Sequence, residues 1–486
     1  MPTTLRKIVE QTIERHRMLV AGDKVLVALS GGPDSVCLLE MLEELQPRYS
    51  LILCVAHFNH KLRGEAAEQD AVFAEQVALR KGLAFVSSSA DVRAFAKEEK
   101  LSVEAAGRRL RYEFLLRSAL SLGAHRVAMG HTADDQVETV LMRFIRGSGP
   151  EGLAGIPPVR PLSNLGQVRI IRPLINLWRN DIMRYVRTRK LRYRRDESNE
   201  SPEYLRNKIR LELLPQLRNE YNPQIKQRLA NAASALALDN DFFESEAKLL
   251  IDEMVLERKP YWVVFDAGLV ATLHPALRKR IISGLVYLAN PDAPMLEASH
   301  YGDAEILLCA AGGKLDLPGK LRLEISGGTG LVSGIGRRAR PPQEAFDVAI
   351  GEMTAIPPLS IVVKTKLMAG ISSPSRLTKL CNPNRQYFDL GAVRLPLEIR
   401  GRRAGDWFKP LGTRGSKKLK DFFIDKKVPR FLRGHVPLLL SNGKIMWVMG
   451  YGIDRRFMLK PSSKSALRVD YEKRTFTGAS EQGSDF

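Results

Sequence analysis

Cysteine is scarce in this sequence, and its few cysteines are not paired. The 486 residues include only Cys37, Cys54, Cys309 and Cys381, and none of them forms a C-x-x-C motif. This spacing argues against a zinc knuckle and against a disulfide framework. Cys37 and Cys54 lie within apolar runs, which is typical of buried thiols without a chemical role. A reduced, cytosolic protein is the simplest interpretation.

Long apolar runs are also missing. No run reaches the ~18 residues of a membrane-spanning helix, so we expect neither such a helix nor a membrane partner. The start, MPTTLRKIVEQTIERHRML, alternates charges and has no apolar signal core, which predicts an amphipathic helix instead of a secretory peptide. Hydrophobic residues still make up 44% of the chain, enough for large cores.

Acidic residues are outnumbered by basic ones. The chain has 75 Lys and Arg against 54 Asp and Glu, a net charge of +21, which predicts a polyanionic partner such as nucleic acid. Segment 181–210 holds ten basic and five acidic residues, and 401–433 holds eleven basic residues and three Asp. A charged run is usually a solvated face, but the second imbalance favours contact with RNA. Aromatic residues there either stack on bases or form a core, and their spacing favours the core: Trp407, Phe408, Phe422, Phe423 and Phe431.

The first part of the chain alternates strand and helix patterns, which predicts an α/β fold with a parallel sheet covered by helices on both faces. The predicted strands are 24–29, 51–58, 83–90 and 126–131, and the predicted helices are 35–45, 65–81, 91–99, 104–122 and 134–146. Helical patterns dominate 208–290, strand-like patterns follow from about 314, and short strands and helices return after 395. We expect a linker at 336–342 and a disordered tail at 476–486.

One turn carries the strongest local signal. The segment VLVALSGGPDSVCLLEML, 25–42, runs from an apolar strand through Ser-Gly-Gly-Pro-Asp-Ser into a helix. Glycines allow positive φ and close approach of a ligand, and Asp34 or Ser35 can cap the helix. A helix start also offers free N–H groups and partial positive charge, so the turn is predicted to hold a phosphate. The alternative is a plain strand-to-helix turn.

The turn is neither a Walker A loop, since no Gly-Lys-Ser/Thr follows, nor a Rossmann G-x-G-x-x-G motif. It resembles the PP-loop, SGGxDS, of the N-type ATP pyrophosphatases. That resemblance implies cleavage of ATP between its α and β phosphates and activation of a substrate as an adenylate.

Two further polar motifs end predicted strands at the same edge of the sheet: HFNH after the second strand and HTADD after the fourth. Ligands of parallel sheets bind at this edge. Helical spacing puts Asp134, Asp135 and Glu138 on one face near His131. We expect this acidic cluster to bind Mg²⁺ or an amine, with a solvated helix face as the alternative.

Several motifs together resemble one family, the bacterial tRNA(Ile)-lysidine synthetases. The similarity is dense in 1–215 and 395–475 and weak between them. The matching segments are SGGPDS (30–35), HFNHKLRG (57–64), EAAGRRLRYEF (104–114), HTADDQVETVLMRFIRGSG (131–149), DESNESPEYLRNKIR (196–210), GDWFKPLGTRGSKKLKDFFIDKKVPRFLR (405–433) and the WVMGYGIDRRF that follows.

The resemblance implies an RNA-modifying ligase of the cytoplasm and a homodimer. It would use ATP and Mg²⁺ to join L-lysine to C2 of the wobble cytidine of tRNA(Ile) with a CAU anticodon, through an adenylated cytidine. The expected domains are a catalytic PP-loop domain at 1–215, a mainly helical tRNA-binding domain at 216–335, a linker with strands at 336–394 and a basic tRNA-binding domain at 395–475.

The resemblance also assigns site residues. ATP would be held by Ser30, Gly31, Gly32, Pro33, Asp34 and Ser35. Catalytic candidates are Asp34, His131, Asp135 and Glu138; Asp34 and Asp135 would hold Mg²⁺, or Asp135 and Glu138 would hold the lysine ammonium group. A carboxylate or His131 would take the proton that the lysine amine must lose. Arg108, Arg109 and Arg111 would meet phosphates or form surface ion pairs. RNA would be bound by Arg206, Asn207, Arg210, Arg414, Lys417, Lys418, Lys420, Lys426, Lys427 and Arg430.

Three other functions fit parts of the sequence. A PP-loop tRNA thiolase needs cysteines, usually paired, and the four here are far apart. A small-molecule amidating synthetase has no use for a charge of +21. A non-catalytic RNA-binding protein would not need the intact SGGPDS and HTADDQVET motifs.

Overall fold

A computed structural model describes residues 2–62, 64–163, 166–194, 205–310, 312–336, 344–413 and 415–474. The chain forms two compact units, Met1–Ser245 and Glu246–Phe486. Most of the expected linker and the whole expected tail at 476–486 lie outside the described residues. None of the described helices has both the length and the apolar character needed to cross a bilayer.

The first unit alternates strands and helices, as the sequence predicts. Its strands are β1 Lys24–Ala28, β2 Ile52–Asn59, β3 Ala84–Ser89, β4 Arg126–Ala128, β5 Val159–Pro161 and β6 Arg169–Ile171. Its helices are α1 Pro2–Arg15, α2 Pro33–Tyr49, α3 Glu65–Arg80, α4 Val92–Glu99, α5 Val103–Leu122, α6 Ala133–Ile145, α7 Pro150–Leu153, α8 Arg179–Thr188, α9 Leu205–Lys208 and α10 Leu214–Gln216. The π-helical turns Ile209–Leu213 and Leu217–Tyr221 flank α10, and the long helix α11, Ile225–Met254, starts in this unit.

The described strands of this unit form one six-stranded sheet in the order β3-β2-β1-β4-β6-β5. All neighbours are parallel except β5 and β6. Successive residues of β1 enter different cores: Val25 and Val27 pack with α1, α2 and α8, whereas Leu26 packs with α5. Both faces of the sheet are therefore covered by helices, which confirms the predicted fold class.

The strand order reverses at β1. The chain runs outward from β1 through β2 to β3 and then returns to place β4 on the other side of β1. Ligands of open α/β sheets bind at such a reversal, beyond the carboxyl ends of the strands. Segment 29–32, between β1 and α2, and segment 129–132, between β4 and α6, lie at this point.

In the second unit, the end of α11 is followed by two antiparallel strands, then by helices and then by further antiparallel strands. Its helices are α12 Ala267–Thr272, α13 Pro275–Ala289, α14 Ala298–Cys309, α15 Pro374–Thr378 and α16 Leu419–Asp425. Its strands are β7 Val255–Lys259, β8 Trp262–Asp266, β9 Gly312–Leu317, β10 Leu321–Ser326, β11 Thr329–Gly334, β12 Phe346–Asp347, β13 Met353–Ile356, β14 Ile361–Ala369, β15 Arg385–Asp389, β16 Leu397–Arg400, β17 Trp407–Phe408, β18 Lys417–Lys418, β19 Leu438–Ser441, β20 Lys444–Val448, β21 Gly452–Ile453 and β22 Ser465–Lys473.

Helices α12 to α14 pack on a five-stranded sheet in the order β7-β8-β11-β10-β9. Two of these strands, β7 and β8, lie within the segment whose patterns are mainly helical. In the described C-terminal part, the sheets β12-β16-β19-β20-β21 and β13-β14-β22-β15 share one core. The predicted sequence of a parallel sheet, a helical region and a small mixed C-terminal fold is confirmed, with a sheet added to the helical region.

Candidate active site

The turn that joins β1 to α2 has a backbone that only glycine adopts readily. Gly31 has a φ of +87°. Its carbonyl oxygen accepts a hydrogen bond of 2.9 Å from the backbone N–H of Arg194. A side chain at position 31 would also meet Phe73 and Arg194 at 3.4–3.5 Å. The turn is therefore fixed from outside as well as by its own glycines.

Helix α2 starts without a side-chain cap, so the expectation that Asp34 or Ser35 caps it is wrong. Gly32 is the N-cap residue and Pro33 follows it as the first helical residue. Ser35 Oγ instead donates to the Gly32 carbonyl at 2.9 Å and accepts from Ser30 Oγ at 3.2 Å. Because no side chain caps this end, the N–H groups of the first turn and the positive end of the helix dipole remain available to an anion.

The β4–α6 segment lies directly against this turn. A Cβ atom at Gly130 would be 3.2 Å from both the carbonyl carbon of Asp34 and the nitrogen of Ser35. A side chain here would be in tighter contact than most and would push the two backbones apart by a few tenths of an ångström. The two motifs that the sequence predicts at one edge of the sheet are thus in contact.

The HFNH motif stabilises the same edge. His57 is buried, and its Nδ1 donates to the carbonyl oxygen of Leu29, just before the turn, at 2.8 Å. Asn59 is also buried and donates to Glu68 at 3.1 Å. These contacts tie β2 and α3 to the end of β1.

Asp34 is a partly buried carboxylate with an unused oxygen. Its Oδ2 accepts from Arg179 Nη1 at 3.4 Å, whereas its buried Oδ1 has no hydrogen-bond partner among the described residues. Burial raises the pKa of Asp34 to about 6, an effect that Arg179 opposes and Asp135 reinforces. A carboxylate with an orphaned oxygen, near a second carboxylate, fits a cation held jointly by protein and phosphate oxygens.

The two aspartates that open α6 have different partners. Asp134 accepts from the backbone N–H of Arg179 at 2.7 Å and from Lys226 Nζ at 2.8 Å, so both of its oxygens are engaged. Thr132 is the N-cap residue of α6, and Asp135 completes the capping box: its Oδ2 accepts from the N–H and the hydroxyl of Thr132 at 2.8 and 3.0 Å. Of the two, Asp135 keeps one oxygen outside these bonds.

His131 is surrounded by positive charge. Arg172 Nε donates to His131 Nδ1 at 3.3 Å, which requires that nitrogen to be unprotonated. Burial, followed by the charges of Arg172 and Arg111, lowers the pKa of His131 well below its ordinary value. The neutral ring therefore presents an N–H at Nε2, a donor and not a proton acceptor.

Glu138 is almost fully buried and lies against two arginine side chains. Its oxygens accept from Arg210 Nε at 2.6 Å and Nη2 at 2.9 Å, and Arg206 Nε lies 3.6 Å away. Arg206 also donates to Thr139 Oγ1 at 3.0 Å. Burial raises the pKa of Glu138, and the bond from Arg210 opposes this shift. The acidic residues of α6 and the segment RNKIR (206–210, called the RNxxR motif), which are separate in sequence, thus meet in one ion pair. Asn207, which follows Arg206 in this motif, is buried.

A group of guanidinium ions surrounds Tyr112 beside His131. Arg108, Arg111 and Arg160 place their central carbons 5.2, 5.6 and 4.8 Å from the ring centroid. Burial of Tyr112 favours its neutral form, but the charges of Arg108 and Arg160 prevail and lower its pKa. In the described part of the chain these arginines form no ion pair with a carboxylate. Arg109 differs, since it forms surface ion pairs with Glu99 and Glu113.

Tyr112, Arg160, Arg172 and Arg179 were not among the candidates from the sequence. The one sequence signal is that Arg172 directly follows β6 at the same sheet edge. The positions of Arg160 and Arg179 depend on tertiary contacts.

Comparison with known proteins identifies the family. A PP-loop domain model matches residues 3–217, and a model of the TilS substrate C-terminal domain matches 397–471. A tRNA(Ile)-lysidine synthase of Symbiobacterium thermophilum is 36% identical over 96% of this chain and 97% of its own length. One from Dehalococcoides mccartyi is 34% identical over 96% and 99%, and one from Geobacter sulfurreducens is 38% identical over 90% of each.

The chain belongs to the tRNA(Ile)-lysidine synthase family. Both dense regions of resemblance coincide with the two domain matches, and the curated relatives cover the weak region as well. The expectation of a tRNA-modifying ligase that uses ATP through a PP-loop is confirmed.

Among solved structures, the isolated C-terminal domain of a TilS protein is 26% identical, covers 27% of this chain and 96% of its own, and has a TM-score of 0.24. A U34-tRNA thiolase of Methanococcus maripaludis is 19% identical, covers 48% of this chain and 78% of its own, and has a TM-score of 0.39. In this chain, Cys37 and Cys54 are buried, as expected. Burial raises the pKa of Cys37 to about 12, which disfavours the thiolate that sulfur transfer requires.

In the basic segment 401–433, exposed cations lie above a core of buried aromatic residues. Phe408, Phe422, Phe423 and Phe431 are buried, as expected, whereas Trp407 is half exposed with Arg456 at 5.3 Å from its ring. The predicted RNA-binding residues of this segment are exposed except Lys417, which is partly buried and paired with Asp425; they are Lys418, Lys420, Lys426, Lys427 and Arg430. Arg414 lies outside the described residues.

The raised pKa of Asp34 predicts a stability that depends on pH. An unfolded aspartate titrates near ~3.9, whereas Asp34 titrates at about 6 in the folded chain. The folded state therefore binds this proton more tightly and loses stability as pH rises through that interval. Without divalent cations, we expect Asp34→Asn to be more stable than the parent at pH 8 by about 1–3 kcal/mol, with the gain shrinking toward pH 5, in urea denaturation. The matched change Asp181→Asn on α8 should have little effect, and a less stable Asp34→Asn at pH 8 would contradict this assignment.

The Glu138 ion pair predicts strong energetic coupling. Glu138→Ala leaves two guanidinium groups without their buried partner and should lower the free energy of unfolding by about 2–4 kcal/mol, a range reduced for the partial exposure of the arginines. Adding Arg210→Ala should recover part of this loss, with a coupling energy of at least about 1 kcal/mol in a double-mutant cycle. Strict additivity of the two changes would show that the pair does not stabilise the fold.

Proposed function

We propose that this chain joins L-lysine to C2 of the wobble cytidine of a tRNA(Ile) whose anticodon is CAU. The C2 oxygen is first adenylated by ATP, which releases pyrophosphate. The ε-amine of lysine then attacks C2, and AMP leaves. The product tRNA reads AUA in place of AUG and is charged with isoleucine in place of methionine. The observation that carries this proposal is the match to lysidine synthases over nearly the whole chain.

The uncapped start of α2 supports the ATP site. Turn 30–35 offers backbone N–H groups to the phosphates, and Gly31 and Gly32 let them approach. Among described residues, no group of three His, Cys, Asp or Glu side chains is arranged to hold a metal alone. Asp34 and Asp135 suit Mg²⁺ bound mainly through ATP oxygens, and such an ion would neutralise charge on the departing pyrophosphate.

The partners of the acidic residues favour particular roles. Lysine's amine has a pKa of ~10.4 and must lose a proton before it attacks. Glu138 is occupied by Arg210 and His131 presents a donor, so Asp34 and Asp135 are the better acceptors for that proton or for the ammonium group. Glu138 then acts by positioning Arg206 and Arg210, and His131 by donating from Nε2.

The guanidinium group around Tyr112 supports a role in holding anions. Arg108 and Arg111 have no acidic partner among the described residues, so a nucleotide phosphate can take that place. Arg206, whose charge acts on Arg111, and its neighbours in sequence, Asn207 and Arg210, are proposed to contact the RNA or the adenylate. We assign catalysis to 1–215 and tRNA binding to 216–335 and 395–475, with 336–394 between them, in a cytoplasmic homodimer.

Binding at two places explains selectivity for one tRNA. The catalytic site meets the anticodon, and the exposed lysines of the C-terminal segment meet another part of the same molecule. Two modest contacts joined on one chain give a combined affinity that neither has alone.

The direct test is the mass of the RNA product. With ATP, Mg²⁺ and lysine, the chain should release pyrophosphate and add one lysine to a CAU-anticodon tRNA(Ile) transcript, but not to elongator methionine tRNA with the same anticodon. Asp34→Ala should reduce pyrophosphate release at least about a hundredfold while tRNA binding persists. Release with neither tRNA, or modification of both, would contradict the proposed substrate.

A further inference from the structure

The C-terminal basic segment contains a pocket of about 470 Å³ lined by four cationic side chains, Arg402, Lys420, Arg430 and Arg433. Arg402 follows β16, Lys420 is on α16, and the two other arginines lie between α16 and β19. Four positive charges in one pocket repel each other, which is unfavourable unless an anion is present. The arrangement therefore suggests that the pocket binds an anion, which would offset this repulsion.

No side chain in the described part of the chain supplies that compensation. None of the four cations has an ion-pair partner there. Of the nearby acids, Asp406 accepts two bonds of 2.8 and 2.9 Å from Arg400, and Asp425 pairs with Lys417. Asp421 adjoins Lys420 in sequence but is not among the residues that line the pocket. The buried Nε of Arg402 has no hydrogen-bond partner among the described residues.

The pocket is held in shape by the core beneath it. Between Arg430 and Arg433 in sequence, Phe431 and Leu432 pack against Trp262 and other apolar residues of the central sheet. Arg433 Nε donates to the carbonyl oxygen of Val428 at 2.9 Å, which orients its side chain. Burial, and then the charges of its neighbours, lowers the pKa of Arg433, as expected for clustered guanidinium groups.

We propose that Arg402, Lys420, Arg430 and Arg433 together bind a single phosphate group of the tRNA substrate. Guanidinium groups bind phosphate through paired hydrogen bonds, and several of them around one phosphate give a fixed point of contact. This phosphate site rests on the proposed function, because it requires tRNA to be the substrate. The phosphate belongs either to the RNA backbone or to the 5′ end of the chain.

The salt dependence of tRNA affinity reports how many phosphates the protein neutralises. Each neutralised phosphate contributes about 0.7–0.9 to the slope of log affinity against log salt. For the full-length triple variant Lys420→Gln/Arg430→Gln/Arg433→Gln, we expect affinity for tRNA(Ile) to fall about 10- to 100-fold. The slope should fall by no more than one such step, because all three cations act on one phosphate and Arg402 stays beside it. Three cations on separate phosphates would instead reduce the slope by about 2–2.7. The triple change Arg376→Gln/Lys444→Gln/Lys473→Gln removes the same charge from exposed positions elsewhere in the second unit and should leave both quantities nearly unchanged.

An unchanged affinity, a slope reduction by about three steps, or an equal effect of the control variant would overturn the single-phosphate pocket. If the triple variant fails to fold, Lys420→Gln/Arg430→Gln changes only exposed residues and carries the same expectation of at most one step, against about two steps for separate phosphates. Repeating the titration with 5′-hydroxyl tRNA separates the sources: a loss that persists assigns a backbone phosphate, and a loss that disappears assigns the 5′ phosphate. Binding alone is measured here, so failure of the proposed function would be seen separately, as absence of lysine addition by the unmodified chain.

Discussion

The close contact between two backbone segments at the reversal of strand order determines the rest of the site. Gly130 brings the end of β4 against the backbone of Asp34 and Ser35, where an added Cβ atom would be only 3.2 Å from that backbone. This contact places the uncapped start of α2 next to the start of α6. The phosphate-binding turn and the acidic residues of α6 can act on one ligand only because these segments touch.

The charged side chains around this contact fall into two groups, those that are paired with an opposite charge and those that are not. Asp134 and Glu138 are neutralised by cations and hold α8, α11 and the RNxxR helix in place. Among the described residues, Asp34 keeps an oxygen without a partner, and burial holds its pKa near 6. The arginines around Tyr112 likewise form no ion pair with a carboxylate in the part of the chain that the structure describes. Available carboxylate and available guanidinium groups therefore lie at the same edge of the sheet, which suits a reaction between a nucleotide, a metal ion and an amine.

Local patterns in the sequence were sufficient for much of this architecture. Strand β1 was expected at 24–29 and spans Lys24–Ala28, and helix α3 was expected at 65–81 and spans Glu65–Arg80, because apolar periodicity and glycine punctuation are local signals. The PP-loop and HTADD motifs were expected at one sheet edge because parallel strands end there. The two short strands β7 and β8 were missed because their residues lie among stronger helical patterns.

The partners of individual side chains could not be read from the sequence. Glu138 and Arg210 are 72 residues apart in the chain, and only the fold brings them together. The same holds for Arg172 and His131, so the choice between a proton acceptor and a donor at His131 required the structure. In the basic segment, the spacing of the aromatic residues was enough to favour a core, but it gave no indication that four cations converge on one pocket.

We infer that this enzyme holds its nucleotide beyond the ends of β1 and β4. Amide hydrogen exchange, measured with and without a non-hydrolysable ATP analogue, is the decisive experiment. We expect slower exchange at 30–36 and 129–136, on both sides of the contact at Gly130, with no change at 344–413. Unchanged exchange at 30–36, or protection confined to the second unit, would contradict it.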